Sequence, residues 1–146
     1  MFKKSNFNGD ISQWNTSSVL NMYAMFIMSN FNGDISNWDV SNLETMIDMF
    51  KGSKFNGDIS KWNVSKVKNM NFMFQESSFK GDSSNWKPYE LIKVDRIFYK
   101  NNAVLPYWAN YEDQESRNKA IDAYHLHKQL NQELNENNTS PKKIKI

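Results

Sequence analysis

Four acidic side chains have the type and spacing that suggest chemistry. Asp10, Asp34, Asp58 and Asp82 each follow a glycine and stand 24 residues apart. Carboxylates stacked at one repeat step could share divalent cations, since adjacent parallel segments lie about 4.8 Å apart. Calcium takes six or more oxygen ligands, and each repeat brings one fixed acid. The expectation is therefore that each Asp bonds the turn amides beside its glycine, with no metal and no other cofactor. His125 and His127 are two apart, which on a helix turns their rings roughly 200° from each other and leaves no shared metal face. Both are expected on a solvated helix surface. Lys142, Lys143 and Lys145 offer positive charge to a phosphate or an acidic partner, but no aromatic groove stands beside them to stack bases, so nucleic acid is not the expected partner. Cysteine is absent, which removes disulfides, thiolate ligands and a thiol nucleophile. No nucleophile–base pair and no phosphate-cradling glycine loop is present either, so the chain is not expected to be an enzyme.

Composition points the same way. Of 146 residues, 18 are Lys or Arg and 16 are Asp or Glu, a formal charge of +2 that provides no broad field for a polyanion or for cations. The hydrophobic fraction of 39%, with 10 Phe, 8 Met, 6 Tyr and 5 Trp, is enough for a real core. Asn, Lys, Ser and Ile are frequent, a bias that reads as an AT-rich coding genome. No apolar run approaches the ~20 residues of a membrane span. Met1-Phe2-Lys3-Lys4-Ser5-Asn6 lacks the apolar region of a signal peptide, and no Cys is available for a lipid anchor. As written, the chain is expected in the cytoplasm; as a fragment of a larger protein it would belong at the cell surface.

The elements that must position these residues follow from the repeat. Phe-Asn-Gly-Asp-Ile-Ser occurs at 7–12, 31–36 and 55–60, with a worn copy, Phe-Lys-Gly-Asp-Ser-Ser, at 79–84. Trp14, Trp38, Trp62 and Trp86 keep the step; so do Met22, Met46, Met70 and Val94, and Phe26, Phe50, Phe74 and Phe98. Within a unit, Trp38 and Val40 alternate with Asn37 and Asp39, the period-2 mark of a short strand. Leu43, Met46, Met49 and Phe50 then follow helical spacing, with Ser41 and Glu44 as a capping box. Asn56-Gly57-Asp58 supplies turn chemistry, the glycine being free to take a positive φ. The pattern predicts an α/β repeat of strand, short helix and turn, stacked so that units share a core and a parallel ladder of short strands.

Trp-Asp-Val-Ser-Asn-Leu-Glu-Thr-Met-Ile-Asp-Met-Phe at 38–50, followed by Phe-Asn-Gly-Asp-Ile-Ser at 55–60, resembles the BspA-like leucine-rich repeat of bacterial surface proteins and lipoproteins. The resemblance covers residues 1 to about 100. It implies a right-handed leucine-rich-repeat-like solenoid, with parallel short strands on one face and short helices opposite, that acts by adhesion or other protein binding without enzymatic activity.

Residues 1–100 are thus expected to hold four repeats, with a partial unit at the N-terminus and a degenerate fourth unit in which Pro88 ends strand pairing. Residues 101–137 would form an irregular cap and a long C-terminal α-helix, and 138–146 a flexible basic tail. The N-terminal face, with Phe2, Phe7 and Trp14, lacks a polar cap; another molecule, the folded-back helix or a missing segment would have to cover it. If Trp and Val point inward, the alternate columns line an open face: Gln13, Asn37, Lys61 and Asn85, then Asn15, Asp39, Asn63 and Lys87. These vary between units while the core columns barely change, which makes them the candidate partner-binding residues. The expected function is a small intracellular binder that blocks or scaffolds a protein, for instance one carried by a phage or mobile element against a host factor. A fragment of a surface adhesin or lipoprotein is the alternative. Self-association through the N-terminal edge, or through Leu126, Leu130 and Leu134, is compatible with both.

Overall fold

The computed structural model describes residues 1–139. The 24-residue step appears in it as a stack of coils: a half coil at 1–6, then coils one to four at 7–30, 31–54, 55–78 and 79–102. A 3-10 turn (Tyr107–Asn110) and one α-helix, α1 (Gln114–Thr139), follow.

The stack is not the α/β solenoid that the pattern predicts. Among the described residues there is no sheet and no short helix within the repeats, only isolated parallel bridges, Asn21 to Thr45 and Thr45 to Asn69. The bridges fall where the short helix was expected, and the Trp-x-Val segments are irregular stretches between two turns, closed by Trp38 onto the Ile35 carbonyl and Leu43 onto that of Val40. The amides of Met22, Ala24, Phe26 and Met28 donate to the carbonyls of Thr45, Ile47, Met49 and Lys51 in the next coil at 2.7–3.0 Å, and those of Met46, Asp48, Phe50 and Gly52 donate to Asn69, Asn71, Met73 and Gln75. Amides between them close local turns instead, Met49 onto the Met46 carbonyl and Lys51 onto that of Asp48.

A backbone that alternates between local and neighbouring acceptors cannot be helical. The reversal is made by left-handed residues at two columns, Ala24, Asp48, Phe72 and Arg96 in one and Lys4, Met28, Gly52, Glu76 and Lys100 in the other, with φ of 48–63°. Each non-glycine costs roughly 1–2 kcal/mol in that region, offset by the bonds between coils. The capping box does not form: the Glu44 amide donates to Leu20 of the preceding coil.

Apolar columns fill the interior. Phe26, Phe50, Phe74 and Phe98 stack at 5.4–5.7 Å between ring centres, and a second column, Phe31, Phe55 and Phe79, lies beside them. The indole nitrogens of Trp38, Trp62 and Trp86 donate to the carbonyls of Ile11, Ile35 and Ile59 in the coil before. The repeated glycine serves this packing. Gly9, Gly33, Gly57 and Gly81 do not take a positive φ, contrary to the turn reading; a Cβ on Gly57 would lie 2.9 Å from the Phe55 ring. The ring closes over the bare Cα, and any side chain there would displace it.

At the far end, side chains replace the next coil. Trp108 stacks on Trp86 at 6.3 Å and its indole nitrogen donates to Ser83, as a fifth Trp of the column would. Asp113 caps α1 by accepting from the Ser116 amide. Gln114 and Asn118 donate to the Tyr89 carbonyl, and the fully buried Arg117 donates to the carbonyls of Leu91, Tyr111 and Glu112. The helix therefore sits on coil four and is not folded back over Phe2, Phe7 and Trp14. The basic residues Lys142, Lys143 and Lys145, and all but the first two residues of the expected 138–146 tail, lie outside the described residues.

Candidate interaction surface

All eight residues of the two varied columns are exposed. They are not equivalent. In the second column, Asn15, Asp39 and Asn63 use their Oδ1 atoms to accept from the amides of Ser17, Ser41 and Ser65 two residues on, at 2.9–3.2 Å. Each holds its own turn, and the Ser41 hydroxyl and then its amide keep the Asp39 carboxyl below the ordinary carboxylate range. Lys87 makes no such turn. Asn-Thr-Ser, Asp-Val-Ser and Asn-Val-Ser at these positions carried the signal for that role.

In the first column, Asn37 and Lys61 make no hydrogen bond to the coils, and Gln13 reaches only the Ser12 hydroxyl. Asn37 and Lys61 line a small hollow of about 70 Å³ with Ser36 and Asp58. A shallower one of about 370 Å³ runs from Trp62 and Asn63 to Asn85 and Lys87.

The aspartate ladder beside this face forms one turn per coil. The Oδ1 atoms of Asp10, Asp34, Asp58 and Asp82 accept from the amides of Ser12, Ser36, Ser60 and Ser84 at 2.8–2.9 Å. Those amides, then the serine hydroxyls, hold the carboxyls below their ordinary value, against the opposing repulsion of Asp10 and Asp58 on Asp34. Among the described residues, no group of three or more His, Asp or Glu is placed to hold a metal ion.

Coil four is fenced by α1. Lys128 donates to Asn85 at 2.6 Å, and Lys87 lines a groove of about 480 Å³ with Tyr89, Asp122, His125 and Gln129. The Tyr89 hydroxyl donates to Asp122 at 2.7 Å; burial and then this bond push its pKa up to about 12. His125 is half-buried here rather than solvated, with its edge toward the Tyr124 ring. Burial, then Lys87 and Lys128, lower its pKa, against Asp122. The columns thus continue as an open face over coils one to three and end at a helix.

Leu126, Leu130 and Leu134 are 49–60% exposed. On a helical wheel they centre opposite Ile121, the side chain that α1 buries against coil four; Leu126 borders the groove toward Lys87 and Tyr89, and Leu130 and Leu134 lie beyond it. Among the described residues no helix is long and apolar enough to cross a membrane.

A family model described as "Mycoplasma protein of unknown function, DUF285" matches residues 1–111, which takes in all four coils and the Trp108 cap. No curated protein and no solved structure matches the chain.

Proposed function

We propose that this chain, which belongs to the DUF285 family, is a non-enzymatic protein-binding module whose partner lies across the open polar face of coils one to three. One observation carries this reading. The columns that build the coil stay Trp, Met, Phe and Gly, whereas Gln13, Asn37 and Lys61, exposed and without a bond that serves the coil, differ from unit to unit. A fixed frame with a varied surface is the way stacked repeats acquire specificity. The likeness of the repeat to BspA-like sequences supports binding as the role. Asn15, Asp39 and Asn63 are also turn anchors, so the sharper contacts belong to Gln13, Asn37 and Lys61.

A small intracellular protein that blocks or scaffolds its partner is the form we favour, and a piece of a surface adhesin is the alternative. The test is capture from host lysate with the full chain, followed by affinity measurement with purified partner and a variant carrying Gln13→Ala, Asn37→Ala and Lys61→Ala. A stoichiometric partner whose affinity falls at least about tenfold in the variant supports the reading. An unchanged affinity overturns this face as the binding site. An empty lysate capture with binding to whole cells selects the adhesin.

A further inference from the structure

The α1 cap answers only part of what coil four presents. In coil three, the amides of Phe72, Phe74 and Glu76 donate to Asp95, Ile97 and Tyr99 of coil four at 2.8–3.3 Å. The same columns of coil four are Arg96, Phe98 and Lys100. Their amides have no acceptor among the described residues, because Trp108 and α1 cover Ser83, Tyr89 and Leu91 on another side of the coil. The edge nevertheless keeps the conformation of the paired coils, with φ of 48° at Arg96 and 50° at Lys100 against 55° at Asp48 and 63° at Gly52. Its donors are spaced and held as they are where a neighbour is present.

The charge of this edge also differs from that of the inner coils. Lys93, Arg96 and Lys100 are exposed, where coil two has Thr45, Asp48 and Gly52 and coil three has Asn69, Phe72 and Glu76. The Arg96 guanidinium and the Lys100 ammonium both lie over the Tyr99 ring, 5.6 and 5.5 Å from its centre. Nearby acids offset them only in part: Asp95 is half-buried, and Glu76 is 3.8 Å from Lys100. Ile92 and Tyr99, 65% and 46% exposed, add apolar surface. Free backbone donors at a fixed spacing, positive side chains and flanking apolar groups describe an edge that takes a further segment by main-chain pairing, as exposed sheet edges do.

We propose that the 93–100 edge of coil four is a second docking surface, which takes an acidic segment of a separate protein as one further layer of the stack. Carbonyls of that segment accept from Arg96, Phe98 and Lys100, and its carboxylates meet Lys93 and Arg96. A left-handed residue is needed at two of its positions, which favours Gly, Asn or Asp there. The chain's own Lys142, Lys143 and Lys145 carry the same sign as the edge, so charge selects a separate, acidic chain.

The experiment is amide exchange by NMR on the full chain, alone and with synthetic peptides at millimolar concentration. The probe is residues 41–54 of this chain, the segment whose carbonyls accept from coil one, with Lys51→Glu and Lys54→Glu to make it acidic. In the free chain, the amides of Arg96, Phe98 and Lys100 should exchange at least about tenfold faster than those of Phe72, Phe74 and Glu76. The acidic peptide should slow them about tenfold, and Arg96→Glu with Lys100→Glu should abolish the effect. The Gln13, Asn37 and Lys61 variant should retain it, which separates this surface from the polar face. Equal protection in the free chain overturns the proposal, as does a peptide that leaves the three amides unchanged. Equal slowing by a control peptide with Glu44→Lys and Asp48→Lys and its natural lysines overturns the acidic class.

Discussion

The two ends of the coil stack meet the same physical demand differently. At the coil-four end, Trp86 is 1% exposed under Trp108, and a buried arginine ties α1 to three backbone carbonyls. At the coil-one end, Trp14 has the same column position and the same stacking distance, 6.3 Å to Trp38, yet is 43% exposed. Met1, Val19, Met22 and Met25 line a hollow of about 270 Å³ beside it. A coil needs an apolar cover for its rings and partners for its backbone, and these needs are separable. Trp108 covers the rings and satisfies the Ser83 carbonyl, α1 satisfies those of Tyr89 and Leu91, and the amides of Arg96, Phe98 and Lys100 find no acceptor among the described residues. At coil one, the half coil pairs Phe2 and Lys4 with Met25 and Ile27 at 2.8 Å, while Phe2 and Phe7 stay half-buried and Trp14 exposed.

That contrast is sharpest in tryptophan truncation. Trp86→Ala should cost about 3–5 kcal/mol, since it opens a cavity between two rings and removes the donor to Ile59. Trp14→Ala should cost about 1 kcal/mol, because much of that ring is already in water. Denaturant midpoints of the two variants, measured side by side, check this, and equal losses would break the distinction between the ends.

Arg117→Met comes next. It keeps the length of the side chain but strips donors from three carbonyls at the base of α1, and should cost about 2–4 kcal/mol. No carboxylate pairs with Arg117 within salt-bridge distance among the described residues; burial lowers its pKa and Asp113 partly restores it. Its value therefore lies in its hydrogen bonds. Helix loss by circular dichroism should precede loss of the tryptophan fluorescence of the inner coils, and a single shared transition would show that cap and coils melt together.

The smallest effect is at His125. Its pKa is lowered in the fold, so the unfolded chain takes up a proton that the folded chain resists. Its contribution to stability is full above the ordinary histidine value and declines as pH falls below it. His125→Gln should flatten stability in that window and leave it unchanged above. Lys87→Gln should weaken the pH dependence without removing it, since burial is the larger cause.

The elements differed in how far they could be read in advance. Exposure of the eight varied positions follows from their alternation with Trp and Val, and the turn-anchor role of Asn15, Asp39 and Asn63 was written in their Asx-x-Ser triplets. The helical reading of 43–50 failed for a physical reason. Spacing of three and four is produced by an α-helix, but also by successive turns that return every third or fourth side chain to one side. Only the acceptors distinguish them, and those are 23 residues away. Left-handed Ala24 and Phe72 carry no mark of their conformation; the hints were Asp48 in their own column and Gly52 in the neighbouring one. Nothing in Arg117 announces a buried residue, because its partners are main-chain carbonyls.

The sequence by itself determined the period, the columns that face inward, the turn residues that repeat, and the absence of thiol chemistry. These are properties of residue type and spacing along one chain. Tertiary structure decided which backbone groups pair with the next coil, why a glycine must precede each aspartate, which end of the stack is covered, and which amides stay open. Each depends on what an adjacent layer places within hydrogen-bond or ring-contact distance, and a one-dimensional pattern does not contain that neighbour.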